Sequence, residues 1–276
     1  MYVIEVPFLD LEQVFNSAQN LRWFKIKGNK FIIQDGSSVV KAEQQRKRLL
    51  LSCTEDEFYD KWYHYFDMGT DYADAYHSIA RRDKFLKKCA VRSGGVRIIK
   101  QDLFECVISS IIFATNNDAS ICKFIMNSIA HACGVENKQS IRGVGKITWH
   151  SFPKPEDIIK NIDKLILSTE LRGMILSVCE DMVDGWFDLD VLKYMTKDEA
   201  KSYLSDFILD DNAIDYICLY GLHDLECIPQ CKFADKVKQL KLSRSAGLVY
   251  AYVTHHKLNP PKNMESEMKV GAHRWG

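Results

Sequence analysis

The sequence predicts an α+β protein: an N-terminal antiparallel β-sheet domain followed by a large helical body. Three observations carry this expectation. The first fifty or so residues alternate short apolar runs with two-residue turn signals, the pattern of hairpins. From Thr54 onward the apolar residues recur at helical spacing. Hydrophobic residues make up 46% of 276 and charged residues 27%, so the chain can bury a core and stay folded.

In the β region, "LRWFKI" and "KFIIQ" flank the turn Gly28-Asn29, "SSVVKA" follows the turn Asp35-Gly36, and "RLLLSC" closes the run. Thr54 with Glu57 three residues later has the spacing of a capping box, so the first helix starts there. Apolar spacing then predicts helices over 70–88, 101–115, 118–133, 173–186, 197–206, 211–222, 229–241 and 243–256. Between them "SIRGVGKITWHSFPKPED" reads as a small hairpin followed by a proline-punctuated helix start. The expected organisation is a β domain over 1–66, helical domains over 67–258 with a hairpin insert at about 138–150, and a loosely held tail over 259–276. There is no internal repeat and no low-complexity segment.

Charge and cysteine content narrow the function classes. Lys+Arg and Asp+Glu each total 37, so the net charge is zero, unlike a protein that coats nucleic acid. Arg81, Arg82, Lys84, Lys87, Lys88, Arg92, Arg97 and Lys100 nonetheless crowd one stretch, and Lys232, Lys236, Lys238, Lys241 and Arg244 another. Each patch alone reads as a solvated helix face. The nine cysteines have no regular spacing, and the closest pair, Cys227 and Cys231, is not a C-x-x-C motif. Reduced core cysteines are expected, with no metal site and no cofactor. The start "YVIEVPFLDLEQVF" has no basic stretch before an apolar one, and no apolar run is long enough to span a bilayer. A soluble, intracellular monomer without membrane association is expected.

Several phrases, in order and at fitting intervals, carry a family resemblance: "SAQNLRW" (17–23), "YFDMGTDY" (65–72), "GVRIIKQDLFECVISSIIFATNN" (95–117), "HSFPKPEDI" (150–158), "NAIDYICLYGLHDLECIP" (212–229) and "SAGLVYAYVTHH" (245–256). Together they resemble the 8-oxoguanine DNA glycosylases, a branch of the helix-hairpin-helix glycosylases of base-excision repair. The resemblance spans roughly residues 9 to 256, and the 95–117 phrase is its most specific part. It implies that fold and, for an intact member, a glycosylase and AP-lyase activity on double-stranded DNA.

The chemistry such an activity needs is general. A base must leave the stack and enter a pocket. A lysine amine then attacks the sugar carbon and forms a Schiff base. A carboxylate steadies the cationic sugar, and backbone N–H groups at a glycine-rich hairpin hold the strand by its phosphates.

The resemblance implies where these groups fall. The glycine turn falls on Ile208, Leu209 and Asp210, the lysine on Asn212 and the aspartate on Cys231. Asn212 has no nucleophilic amine, and Cys231 offers no fixed negative charge. No lysine lies between Lys201 and Lys232, so a small shift in register does not restore the nucleophile. Asp235, one turn beyond Cys231, is the alternative carboxylate. Asp210 and Asp211 put negative charge where a phosphate would bind; locally, Asp211 reads as the cap of a helix that packs Ile214, Ile217, Cys218 and Gly221 inward. "GVGK" at Gly143–Lys146 mimics the missing hairpin but precedes no apolar helix, and reads as a turn.

The base-pocket positions implied by the resemblance are Ala18, where the family uses a glycine carbonyl, and Phe233, Tyr250 and Thr254, where it has histidine, glutamine and phenylalanine. These residues suit a filled, collapsed pocket. Asn116 matches an asparagine that enters the gap left by the flipped base, and Arg172 an arginine that contacts the orphaned partner base. Asn117 reads as a further DNA contact or as a cap for the helix beginning at Asp118. Asp118, Ile121 and Leu171 depart from the family's asparagine, arginine and aromatic wedge. The expected function is therefore that of a glycosylase-like protein, catalytically impaired or inactive, a pseudoenzyme that retains DNA contact. The alternatives are an active glycosylase with relocated catalytic groups and a scaffold that binds protein or a small ligand.

Overall fold

Turn chemistry sets the sheet. In the computed structural model, which describes residues 1–116, 118–229, 237 and 239–260, Gly28 and Gly36 adopt left-handed φ of 53° and 56°. They reverse the chain between β2 (Trp23–Lys27), β3 (Lys30–Asp35) and β4 (Ser38–Gln45). Together with β1 (Tyr2–Glu5) and β5 (Arg48–Leu51) these make a five-stranded antiparallel sheet of order β1-β5-β4-β3-β2. The register pairs Ile33 with Trp23 and Val40, and Ala42 with Phe31 and Leu51, so alternate residues share one buried face.

That face packs on Phe58, Trp62, Tyr65 and Phe66, which follow the capping box of Thr54 and Glu57. There α2 (Glu55–Glu57) passes through a π-helical stretch, Phe58–Trp62, into α3 (Tyr63–Tyr65). Two elements escape the sequence pattern. The edge strand β1 is too short to show a period, and α1 (Leu11–Phe15), a single turn capped by Asp10, sits in what reads as β structure.

The helical body begins with α4 (Tyr72–Arg82) and α5 (Lys84–Ser93), two helices where apolar spacing predicts one. The break is Asp83, which is extended and whose carboxylate accepts from Phe85 N at 2.8 Å and Leu86 N at 3.1 Å. A new cap costs the chain little, and periodicity alone cannot see it. The central helix α6 (Leu103–Thr115) is buried over Glu105–Ile112. Around it lie α7 (Ala119–Cys133), the hairpin β6 (Glu136–Ile141) and β7 (Gly145–His150), and α8 (Pro155–Asn161). Then follow α9 (Thr169–Val183), α10 (Lys197–Ser205), α11 (Asp211–Tyr216) with a π turn at Ile217–Gly221, and α12 (Ala246–Leu258).

α9 starts four residues before the predicted 173 because Ser168 caps it, its side chain accepting from Leu171 N. The "GVGK" residues form the β6–β7 turn with Gly143 and Gly145 at φ of 77° and 103°, as the sequence predicts. The predicted helix over 229–241 and most of the tail lie outside the described residues. No described helix is long and apolar enough to cross a membrane.

α11 and its π turn pack against α6 through Gly221, where a Cβ would come within 2.7 Å of the Leu103 side chain. This close approach fixes the direction in which α11 meets the N-terminal loop, and so builds the cleft described next.

Candidate functional site

Three segments distant in sequence meet at one cleft of about 370 Å³. The Ser17–Gln19 loop forms one wall, the end of α6 with Phe113 and Asn116 a second, and α11 with Asp210 and Asn212 a third; Tyr250 and Thr254 of α12 complete it. Of the site positions marked from the sequence, Ala18, Asn116, Asn212, Tyr250 and Thr254 all line this cleft. Asn117, Cys231, Phe233 and Asp235 lie outside the described residues. Of the residues that the sequence expects to fill this pocket, Tyr250 is on the cleft wall and Phe233 lies outside the described residues.

The loop is held by a converging set of hydrogen bonds. Gln19 Nε2 donates to Ser17 Oγ and to Arg97 O, each at 2.8 Å, and Gln19 Oε1 accepts from Ile99 N at 2.8 Å. The Gln19 carbonyl accepts from the Tyr216 hydroxyl at 2.7 Å and from the Gln101 amide. Between these anchored neighbours Ala18 takes φ of +58°, the left-handed region that favours glycine. An alanine thus occupies a backbone shape that suits glycine, at a cost of about 1–2 kcal/mol. Among the described residues no backbone hydrogen bond ends on the Ala18 carbonyl.

Among the described residues, the wall at α11 carries no amine. Asp210, extended at φ −96°, caps α11 by accepting from Ala213 N at 2.9 Å. This corrects the sequence expectation that Asp211 is the cap: Asp211 is the first helical residue and is exposed. Ile214, Ile217, Cys218 and Gly221 are buried as expected of the inward face. Lys201, the lysine preceding this segment, forms an ion pair with Asp215 and does not line the cleft. Tyr216 and Tyr220 lie side by side with ring centroids 4.6 Å apart, and Phe113 lies 5.4 Å from Tyr216. Among its described residues the cleft therefore offers aromatic faces, amides and the Asp210 carboxylate.

Asn116 ends α6, its amide donating to Ile112 O at 3.1 Å and to Thr115 Oγ1 at 2.8 Å. Asp118 caps α7 through Ser120 N and Ile121 N. Arg172 stands apart from the cleft: it pairs with Asp163 and donates to Leu165 O at 2.7 Å. Leu171, beside it, is buried in the core and projects no wedge. Arg97 leaves the basic surface stretch altogether. It is buried, stacks over Tyr72 at 4.3 Å, and donates to the carbonyls of Pro7, Phe8, Phe66 and Asp67. Burial lowers its pKa. Arg81, Arg82, Lys84, Lys87 and Lys88 remain exposed.

The sequence missed the aromatic lining of Phe113, Tyr216 and Tyr220, and it missed the clamp. Gln19, Gln101 and Tyr216 are separated by up to 197 positions, and nothing local marks them as partners.

Against known proteins, residues 2–107 match the model of the 8-oxoguanine DNA glycosylase, N-terminal domain. The whole chain is similar in structure to MBOgg1, solved in complex with a low-affinity DNA ligand, at TM-score 0.81 and 22% identity over 92% of this chain and 94% of that one. It is similar to the Clostridium acetobutylicum 8-oxoguanine glycosylase/lyase, solved with double-stranded DNA containing cytosine opposite 8-oxoG, at TM-score 0.79 and 21% identity over 93% and 97%. The Archaeoglobus fulgidus 3-methyladenine DNA-glycosylase shares the fold more distantly, at TM-score 0.72 and 14% identity over 93% and 98%. Residues 2–107 thus match the N-terminal domain of the 8-oxoguanine DNA glycosylases, and the chain over its length shares the fold of 8-oxoguanine glycosylases of known structure.

Proposed function

We propose that this chain is a DNA-contacting member of that family in which Schiff-base chemistry has been lost. The observation that carries the reading is the wall of the cleft at α11: Asn212 stands at the nucleophile's position, and no lysine is among the described lining residues. An amide cannot attack a sugar carbon as an amine does. Cys231 at the carboxylate position supplies no permanent charge to steady an oxocarbenium ion. Asp210 sits where the strand's phosphate would lie and opposes it electrostatically.

DNA contact is supported by the fold, by the cleft with Asn116 at its edge and by the exposed cations of 81–88. Relatives solved with DNA support it as well. Arg172 belongs to this reading as a residue that exchanges Asp163 for a partner base on binding. The protein is read as an intracellular monomer without cofactor, with a β domain over 1–66 and a helical body over 67–258.

The test is incubation with duplexes carrying 8-oxoguanine opposite cytosine, with borohydride present, and parallel binding at two salt concentrations. No trapped adduct and no base release, together with binding that weakens steeply as salt rises, is the expected result. A trapped adduct would instead mean relocated catalytic groups, and no binding at low salt would mean a scaffold for other ligands.

A further inference from the structure

Between β2, β3, α7 and β7 lies a cavity of about 330 Å³ that shares no lining residue with the cleft. Phe24, Ile32, Ala130 and Ile147 give it apolar walls. Gln34, His131, Trp149 and His150 are among its polar lining residues, and none of the residues that line it is a carboxylate. Its size suits a small organic molecule.

The polar groups are donors in want of acceptors. Trp149 is 7% exposed, and its indole N–H has no hydrogen-bond partner. A buried donor of this kind costs free energy until something accepts from it. Gln34 Oε1 accepts from Arg22 Nη2 at 2.6 Å, which leaves the NH2 of the same side chain to donate. The rings of His131 and His150 lie 4.6 Å apart, centroid to centroid, and titration of either can add only positive charge.

A cation stands behind the Phe24 wall. Lys123 Nζ lies 4.8 Å from the ring centre of Phe15 and 5.2 Å from that of Phe24, and it donates to Trp23 O. Burial lowers its pKa, and among the described residues no carboxylate offsets its charge. The electrostatics of the cavity therefore lean one way.

We propose that this cavity binds a small carboxylate with an apolar body. The carboxylate accepts from the Trp149 indole N–H and from the histidine pair, while the body packs on Phe24, Ile32 and Ile147. The Lys123 ammonium favours the anion from behind Phe24. A cationic guest would meet like charge with no carboxylate on the walls, and a neutral guest would gain nothing from Lys123. Binding also draws a proton onto the histidine pair. Burial, His131 and the Arg22 guanidinium hold the His150 pKa below its ordinary value, and Glu136, opposite His150 in the hairpin, opposes them. A bound anion acts in the same sense as Glu136, so affinity rises as pH falls. The site stands whether or not the cleft contacts DNA.

The experiment titrates benzoate into the full chain labelled with nitrogen-15, with benzamide as the uncharged control, and follows the indole N–H signals. Trp149→Phe identifies which of the five tryptophan signals belongs to Trp149. Benzoate is expected to move that signal saturably, with a midpoint of about 1 mM at pH 6, and to bind roughly fivefold more weakly at pH 8. Lys123→Met is expected to weaken benzoate and to leave benzamide unchanged. An equal response to benzamide, a saturable shift confined to other tryptophans, affinity independent of pH, or no saturable shift overturns the proposal. The titration of the unmodified chain decides the matter even where a variant fails to fold, since the signals it reads are those of wild type.

Discussion

Arg22 and Glu105 form a buried ion pair, Nη1 to Oε2 at 3.0 Å, across the seam between the sheet and α6. Both side chains are shielded from water and find further partners on both sides of the seam, while Arg22 Nε has no hydrogen-bond partner among the described residues. Arg22 Nη2 donates to Gln34 Oε1 at 2.6 Å and to the His150 carbonyl, and Glu105 Oε2 accepts from Gly36 N at 2.8 Å. The pair thereby fastens β2, β3, β7 and α6 to one another.

Above about pH 8, where Glu105 is ionised, removing one partner leaves an uncompensated buried charge. Arg22→Met and Glu105→Leu are each expected to cost about 3–5 kcal/mol, whereas the double variant recovers most of that loss, because an apolar replacement carries no desolvation penalty. Urea midpoints of the two single variants and the double variant measure the coupling; additive losses would show that the pair is not acting as a unit.

Glu105 also gives stability a pH dependence. Burial holds its carboxyl up at about 8, with Arg22 drawing it back down and Asp35 and Asp102 pushing it up. A folded-state pKa raised above the ordinary 4.5 means that the native state binds the proton more tightly. Its contribution is therefore complete below about pH 4.5 and lost as pH rises through 8. Glu105→Gln cannot titrate, so the stability of wild type relative to this variant is expected to fall across that window. A difference that is flat with pH would refute the assignment.

Ala18 stands in a conformation that suits glycine. Ala18→Gly relieves about 1–2 kcal/mol of backbone strain and gives back roughly 0.4–1 kcal/mol through the freer unfolded chain. A net gain of roughly 0.5–1 kcal/mol is expected, read as a higher urea midpoint with an unchanged slope.

Asp210 has two separable roles. Asp210→Ala removes the cap of α11 and is expected to cost about 1 kcal/mol of stability. Asp210→Asn keeps a capping oxygen while removing the charge. It is expected to leave stability nearly unchanged and to tighten duplex binding roughly two- to fivefold at low salt, as suits one surface charge worth up to about 1 kcal/mol. That gain shrinks as salt rises; a salt-independent gain would point to a steric cause.

Restoring the amine alone is not expected to restore chemistry. Asn212→Lys leaves Cys231 in the carboxylate position, so borohydride trapping is expected only when Cys231→Asp accompanies it. Trapping by Asn212→Lys alone would show that another carboxylate serves, with Asp210 on the cleft wall the first candidate.

Part of the cleft lining was legible in the sequence because it sits in phrases with fixed order, whereas Phe113, Tyr216 and Tyr220 were not marked. Ala18, Asn116, Asn212, Tyr250 and Thr254 come together as the resemblance implies. What was not legible depends on long-range geometry or on a single cap. Asp83 divides a continuous apolar period with one carboxylate. Arg97 looks like a member of a basic run until four carbonyls and a tyrosine ring enclose it.

The clamp on Gln19 has a consequence for recognition. Its side chain and carbonyl are engaged from Ser17, Arg97, Ile99, Gln101 and Tyr216 before any ligand arrives. A guest entering the cleft meets one wall that is already as ordered as the core, so little freedom remains there to be lost on binding. Selectivity must then be adjusted at the other wall, where Asp210 and Asn212 face the same space from the start of a six-residue helix. One side of the cleft works as a fixed jaw and the other as the jaw that sequence change can reset.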